Sequence, residues 1–163
     1  MQALLANGFV NSLSVDNSAA FQVAINAAAN AGQYTITIPS WIRVINLADT
    51  ITLDISKTSI NLNGCELSFR NLGAGKYAFN FVNSLSALVS HRRMFKPMQN
   101  GLVTRKDESG NSLRDDSYNN NISGLLLDST DPDLPAAGFC LQDMYFEGFR
   151  DAIYIGRSSY VLS

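Results

Sequence analysis

Carboxylate and aromatic side chains near the C-terminal end of the sequence have the chemistry needed to bind or cleave a sugar. Between residues 142 and 155 apolar residues alternate with Tyr145, Glu147 and Tyr154, which predicts that these three side chains point outward from short strands. Aromatic rings offer apolar contact area, and paired carboxyl groups can serve as acid and base, or as acid and nucleophile. The candidate catalytic residues are Glu147 and Asp128, and the candidate substrate-binding residues are Tyr145, Tyr154 and Trp41.

Each of these patterns also has an interpretation without a functional site. The outward residues near Glu147 can form a solvated wall, and Trp41 can pack beneath a helix. Asp115-Asp116 is a second candidate acid pair, although adjacent acids are typical of a polar loop. The basic run at 91–93 can hold an acidic polysaccharide or pair with the acids that follow it. The sequence leaves these alternatives open.

Other classes of chemistry lack their motifs. The 163 residues carry a net charge of −2 without a basic stripe, so no nucleic-acid partner is expected. A nucleophile elbow, a phosphate loop and a dinucleotide fingerprint are all missing. With His91 as the single histidine, and with Cys65 and Cys140 expected to be free, no metal, cofactor or disulfide is predicted. No apolar run reaches the ~20 residues of a membrane span, and the first residues lack a basic leader, so synthesis and folding in a cytoplasm are expected.

One helix and many short strands are predicted to position these residues. Residues 16–29 follow a helical apolar pattern, with a capping residue among Asp16, Asn17 and Ser18 and with Gly32 at the end. From residue 34 onward apolar residues alternate in short pieces separated by turn residues, which is typical of strands. The pattern at 139 restarts at 161 after 22 residues (161 − 139), and that at 36 restarts at 60 after 24 (60 − 36). This recurrence predicts parallel strands stacked in a β-helix, with the inward residues Phe139, Leu141, Phe146, Ile153 and Ile155 inside one tube.

Two stretches resemble a known superfamily. DNSAAFQVAINAAANAGQYTITIPSWIRV resembles the opening segment of pectate-lyase-like right-handed parallel β-helices, which include bacteriophage tailspikes, and GFRDAIYIGRSSYVLS is similar to a coil of phage-type β-helices. The resemblance implies an all-β fold, a right-handed parallel β-helix with an N-terminal capping α-helix. It also implies a homotrimeric virion-tail protein that recognises and degrades a bacterial surface polysaccharide. The alternative is a non-catalytic structural or adhesin module, secreted or on a cell surface.

The domain organisation follows from these elements. Residues 1–15 are predicted to form a lead segment, and residues 16–163 the capping helix and the first coils. An inserted loop is predicted at about 84–121, and a short strand at Leu102-Val103 is considered within it. The chain is expected to be either the front of a longer protein or a piece completed by a partner, because a solenoid needs a cap at both ends. A depolymerase active site is therefore expected to lie largely outside it, and the chain alone is predicted to cleave little or no polysaccharide.

Overall fold

The computed structural model describes residues 8–12, 14–70, 72, 73, 75–85, 95–113, 123–127 and 139–155. Helix accounts for 12% of the described chain and strand for 41%. The elements are α1 (Ser18–Asn30), β1 (Thr35–Thr37), β2 (Val44–Leu47), β3 (Ile51–Asp54), β4 (Ser59–Asn61), β5 (Glu66–Arg70), β6 (Tyr77–Val82), β7 (Met98–Lys106), β8 (Ser123–Leu127), β9 (Gln142–Glu147) and β10 (Ile153–Ile155).

The predicted N-terminal helix is confirmed, and its end has a specific geometry. Gly32 has a φ of +71°, its N–H donates to the carbonyl of Ala29 at 3.1 Å, and the N–H of Gln33 donates to that of Ala28 at 2.9 Å. These two bonds form a Schellman motif, which glycine permits because it tolerates positive φ. The buried face of the helix is formed by Ser18, Ala20, Phe21, Ala24, Ile25 and Ala28.

Polar groups at the start of α1 attach the helix to the loop that precedes β3. The Asp16 carboxylate accepts a hydrogen bond from the backbone N–H of Ser18 at 2.9 Å. The Ser18 hydroxyl accepts from the N–H groups of Ala48 at 2.9 Å and Asp49 at 3.0 Å. The helix is therefore attached to the sheets by specific hydrogen bonds as well as by its apolar face.

All pairs among the named strands are parallel, and they form two sheets. In the larger sheet the first residues of β7 pair with β4, and its later residues pair with β5. Strand β1 lies beyond β4, and β2 lies beyond β5. Strand β9 also pairs with β7. The smaller sheet has the order β10-β8-β6-β3. The larger sheet curves into a half-barrel. The partner of β7 changes next to Asn100, whose φ is +60°.

The core lies between the inner faces of the two sheets and the helix. Ile45, Leu67 and Val103, aligned on three neighbouring strands of the larger sheet, are fully buried. From the smaller sheet Phe79 packs edge-on against Phe69, with ring centroids 5.6 Å apart. These apolar rows supply most of the buried area that stabilises the fold.

The prediction of an all-β, right-handed parallel β-helix is wrong. The described chain is mixed α/β, and its half-barrel and small sheet do not clearly form a solenoid. The pairing also has no fixed period, because Glu66 pairs with a residue 22 positions earlier (66 − 44) and Leu125 with one 46 positions earlier (125 − 79). Alternation in the sequence correctly predicted parallel short strands, but strand direction alone does not establish the fold class.

The predicted interior near the C-terminal end is only partly observed. Phe139, Leu141 and Phe146 are half-buried and pack against the core, whereas Ile153 is 42% exposed. Ile153 was therefore wrongly placed inside. The side chain of Ile155 and the predicted restart at 161 lie outside the described residues.

The stretch predicted as an inserted loop contains the longest strand. β7 falls inside residues 84–121 and carries nine residues through the middle of the larger sheet. Its side chains therefore have neighbours on both sides within the sheet. The proposed domain limits themselves stay a prediction.

Candidate functional site

Register within the larger sheet aligns outward side chains in rows that cross four strands. The outer face is defined here as the side of the β2-β5-β7-β9 strands opposite the core. Because alternate residues of a strand point to opposite faces, the neighbours of the buried rows lie on this face. Its first row is Val44, Glu66, Leu102 and Tyr145. Its second row is Asn46, Ser68, Thr104 and Glu147, of which Asn46, Ser68 and Thr104 are buried.

Two large side chains of the first row are exposed next to each other. Leu102 on β7 and Tyr145 on β9 are direct register partners, 36% and 47% exposed. Residues paired across neighbouring strands have their side chains in contact range, so the two form a continuous apolar surface with a hydroxyl at one end. This pair is called the platform below.

Glu66 lies beside the platform on β5 and is held by two donors from β7. Its Oε1 accepts a hydrogen bond from the Thr104 hydroxyl at 2.6 Å and forms an ion pair with Lys106 Nζ at 2.5 Å. Both donors lie C-terminal to Leu102 on β7, and Leu102 is the register partner of Glu66. The carboxylate therefore leans away from its own row and towards the row that contains Glu147.

Glu147 approaches the same part of β7 from the other side. Its Oε1 accepts a hydrogen bond from the Ser112 hydroxyl at 2.7 Å, and Ser112 forms an isolated bridge with Lys106. Thr104 is the register partner of Glu147. Glu66 on β5 and Glu147 on β9 therefore flank β7, and Glu66 has its partners at Thr104 and Lys106 whereas Glu147 has its partner at Ser112.

The spacing of the two carboxylates can be compared with that of glycoside hydrolases. Two strand spacings of about 4.8 Å and two residues along a strand place the Cα atoms of Glu66 and Glu147 roughly 12 Å apart. Hydrolases hold their two carboxyl groups about 5 to 9.5 Å apart, which is shorter than the distance between these two Cα atoms. A hydrolase also needs a general acid with a raised pKa. The pKa shifts of Asp49, Asp54 and Asp107 are all downward, so none of these three suits that role.

Some of the residues predicted from the sequence come together here, and others do not. Tyr145 and Glu147 lie on the outer face, as the alternation in β9 predicted. Trp41 is 51% exposed and lies in the loop before β2, at the opposite edge of this part of the sheet, so it does not pack beneath the helix. The side chain of Tyr154, as well as Asp128, Asp115-Asp116 and residues 91–93, lies outside the described residues.

Sequence reasoning missed Glu66 and Leu102. The alternation Glu66-Leu67-Ser68-Phe69 would have placed Glu66 on an outer face. Glu66 on β5 and Glu147 on β9 are brought into one sheet by β7, which pairs with both strands and lies in the stretch predicted as a loop. The register of that strand was the missing information.

Comparisons with protein-family models, with curated proteins and with solved structures find no match. Within the described ranges no helix is long and apolar enough to cross a membrane. Those ranges also contain no group of three or more histidine, cysteine, aspartate or glutamate side chains placed to hold a metal ion.

Proposed function

We propose that this chain recognises a bacterial surface polysaccharide on its outer face. The observation that carries the proposal is the platform of Leu102 and Tyr145, an exposed apolar pair with hydrogen-bonding groups on both sides. A pyranose ring has the same character, with an apolar face of C–H groups and a rim of hydroxyls. Glu66 and Glu147 are both partly exposed, and their carboxylate oxygens can accept hydrogen bonds from such hydroxyls.

Binding is a better match to this geometry than cleavage. Glu66 already accepts two hydrogen bonds, one from an ammonium group, and Glu147 accepts one from Ser112. Each carboxylate has about four acceptor positions, so it can accept from a ligand hydroxyl while it keeps its protein partners. Donating a proton to a leaving group would require a protonated carboxyl instead.

The proposal is tested by binding measurements on the full chain. A panel of purified capsular and O-antigen polysaccharides is titrated against the wild type and Tyr145→Ala, with affinity measured by calorimetry. Loss of the aromatic face should weaken binding about tenfold, equivalent to roughly 1.4 kcal/mol, because the ring supplies apolar contact area to the sugar. Tyr34→Ala is the matched control, since Tyr34 is equally exposed at 45% but lies before β1, away from the platform.

The measurement also separates the two classes of protein considered from the sequence. Binding of at least one panel member that weakens in Tyr145→Ala but not in Tyr34→Ala supports recognition. Absence of binding to every member favours the structural or adhesin alternative. Degradation of the polysaccharide, homotrimeric assembly and a place in a virion tail are proposals that rest on the family resemblance, and light scattering at micromolar concentration tests the trimer.

A further inference from the structure

Two Asn-Gly pairs of the sequence lie side by side near the turn that joins β4 to β5. Asn63-Gly64 lies in that turn, and Asn100-Gly101 lies where β7 changes partner from β4 to β5. The Gly64 N–H donates to the Asn100 carbonyl at 2.8 Å, and φ is +52° at Asn63 and +60° at Asn100. The same dipeptide therefore occurs twice with a similar backbone angle but with different surroundings. Asn7, which begins a third such pair, lies outside the described residues.

An Asn-Gly pair can react with itself in water. The backbone nitrogen of the glycine attacks the side-chain Cγ of the asparagine, a C–N bond forms, and the side-chain nitrogen leaves as ammonia. The product is a succinimide ring, and water opens it at one of its two carbonyls to give aspartate or isoaspartate. Glycine favours the attack because it has no side chain to hinder the nitrogen. In a folded chain the reaction requires local opening, which frees the nitrogen and lets the backbone rotate.

Asn63-Gly64 is held by surface contacts. Both residues are exposed, and they are the central residues of a β-turn that the Cys65 N–H closes by donating to the Leu62 carbonyl at 2.9 Å. The Asn63 carboxamide donates to the Ile38 carbonyl at 3.2 Å. Freeing the reacting groups breaks this bond and the one from the Gly64 N–H. Since such bonds contribute about 0.5 to 1.5 kcal/mol each, the turn opens at low cost.

Asn100-Gly101 is confined by the sheet on both sides. Gly101 is buried, and a Cβ atom at this position would lie 2.4 Å from Leu62 Cβ. On the other side Gly101 is the register partner of Met144 on β9. The Asn100 carboxamide donates to Asn61 Oδ1 at 3.1 Å. Movement of the Gly101 nitrogen towards Asn100 Cγ therefore requires β7 to separate from its neighbours, which is a more costly opening than that of a surface turn.

We propose that Asn63 is a site of spontaneous deamidation in the folded chain, whereas Asn100 is protected by the sheet. The reaction replaces a neutral carboxamide with a carboxylate and removes the donor that bonds to the Ile38 carbonyl. In isoaspartate the main chain also passes through the former side chain and gains one methylene group. The lengthened turn should displace Gly64 from the Asn100 carbonyl and weaken the start of β5, the strand that carries Glu66.

The test is peptide mapping of the full chain by mass spectrometry after incubation at pH 8. Deamidated peptides are located by their gain in mass, and the same incubation in urea gives the intrinsic rate of each Asn-Gly pair in the unfolded chain. The ratio of the unfolded rate to the folded rate should be about tenfold or more larger at Asn100 than at Asn63. A tenfold difference corresponds to about 1.4 kcal/mol in the free energy of opening.

One variant assigns the reacting residue. Trypsin cleavage after Lys57 and Arg70 leaves Asn61 and Asn63 in one peptide. Asn63→Asp is the control, because aspartate also tolerates a positive φ and has no amide to lose, so the gain in mass should disappear from this peptide. A gain that persists in Asn63→Asp would assign the reaction to Asn61 and overturn the proposal. Equal protection of Asn63 and Asn100, or faster reaction at Asn100, would also overturn it.

Discussion

The carboxamide of Gln22 pairs with the backbone of Thr52 through two hydrogen bonds. Its Nε2 donates to the Thr52 carbonyl at 2.9 Å, and its Oε1 accepts from the Thr52 N–H at 2.8 Å. Thr52 lies on β3, one of the two edge strands of the smaller sheet. One helical side chain therefore makes the contacts of a neighbouring peptide group and occupies part of an edge that would otherwise be open to another strand.

Replacing Gln22 should destabilise the chain and expose this edge. Gln22→Ala removes both bonds at once, and because the site is open to water the expected loss in unfolding free energy is about 1 kcal/mol. Chemical denaturation measures the loss, and light scattering at high concentration measures any increase in association. Asn26→Ala is the control, since Asn26 contacts Gln22 on the same exposed helix face but makes no bond to β3. Equal stability of the two variants would contradict the role given to Gln22.

Gly101 is required by close packing where β7 changes partner. A Cβ atom at this position would lie 2.4 Å from Leu62 Cβ and 2.8 Å from the Cys65 carbonyl oxygen. Gly101→Ala should therefore cost about 1 to 3 kcal/mol of unfolding free energy, the usual cost of overpacking a core. Gly73→Ala is the control, because its new Cβ atom would lie no closer than 3.8 Å to its nearest neighbours. Its unfolding free energy should therefore stay near that of the wild type. Thermal or denaturant unfolding measures both free energies. Equal values for the two variants would show that β7 can shift enough to accommodate the added Cβ atom.

The sequence predicted the local elements better than their assembly. Helix α1 ends at Asn30, just before Gly32, as the sequence predicted, because the apolar face and the glycine are both local signals. The alternation in β9 placed Tyr145 and Glu147 on an outer face for the same reason. Local patterns do not contain the register between distant strands. Here β7 pairs with the strand of Glu66 and with the strand of Glu147, and β7 lies in the stretch predicted as a loop. The same limit explains why parallel strands were predicted correctly and the fold class was not.

The two cysteines should differ sharply in reactivity. Cys65 is buried, and desolvation together with the neighbouring Glu66 charge raises its pKa to about 12, whereas Cys140 is exposed. At pH 8 a thiol with that pKa is ionised in only about one molecule in ten thousand. A thiol-reactive dye at pH 8 should therefore label Cys140 in the folded chain and reach Cys65 only after denaturant is added. Rapid modification of two thiols per native chain, located by mass spectrometry, would contradict this assignment.

Asp54 should make stability depend on pH in the acid range. Desolvation by burial raises its pKa, but hydrogen bonds from Ser56 and Ser84 and a contact with Lys57 outweigh that effect and leave the pKa below its ordinary value. A lowered pKa in the folded state means that the contribution is complete above the unfolded value of about 3.9 and is lost as the pH falls through the folded pKa.

Asp54→Asn should remove this contribution. Asparagine keeps an acceptor for the Ser56 hydroxyl but loses the charge that faces Lys57, so unfolding free energy at pH 7 should fall by about 1 kcal/mol. The decline of stability below pH 4 should also become shallower than in the wild type. Urea unfolding across pH 2 to 7 measures both effects. An acid decline as steep as that of the wild type would show that other carboxyl groups control it.

Polysaccharide cleavage by this chain alone should be weak or absent. The Glu66 and Glu147 carboxylates on the two strands beside β7 both accept hydrogen bonds from serine, threonine or lysine donors, which suits binding more than proton donation. Reducing ends are measured after incubation with every polymer that binds, using the wild type, Glu147→Gln and Glu66→Gln. Glu108→Gln is the control, because Glu108 is an exposed carboxylate in the loop after β7. Release of reducing ends that disappears in Glu147→Gln or Glu66→Gln but persists in Glu108→Gln would establish a hydrolytic pair on the outer face and replace recognition with catalysis as the function of this site.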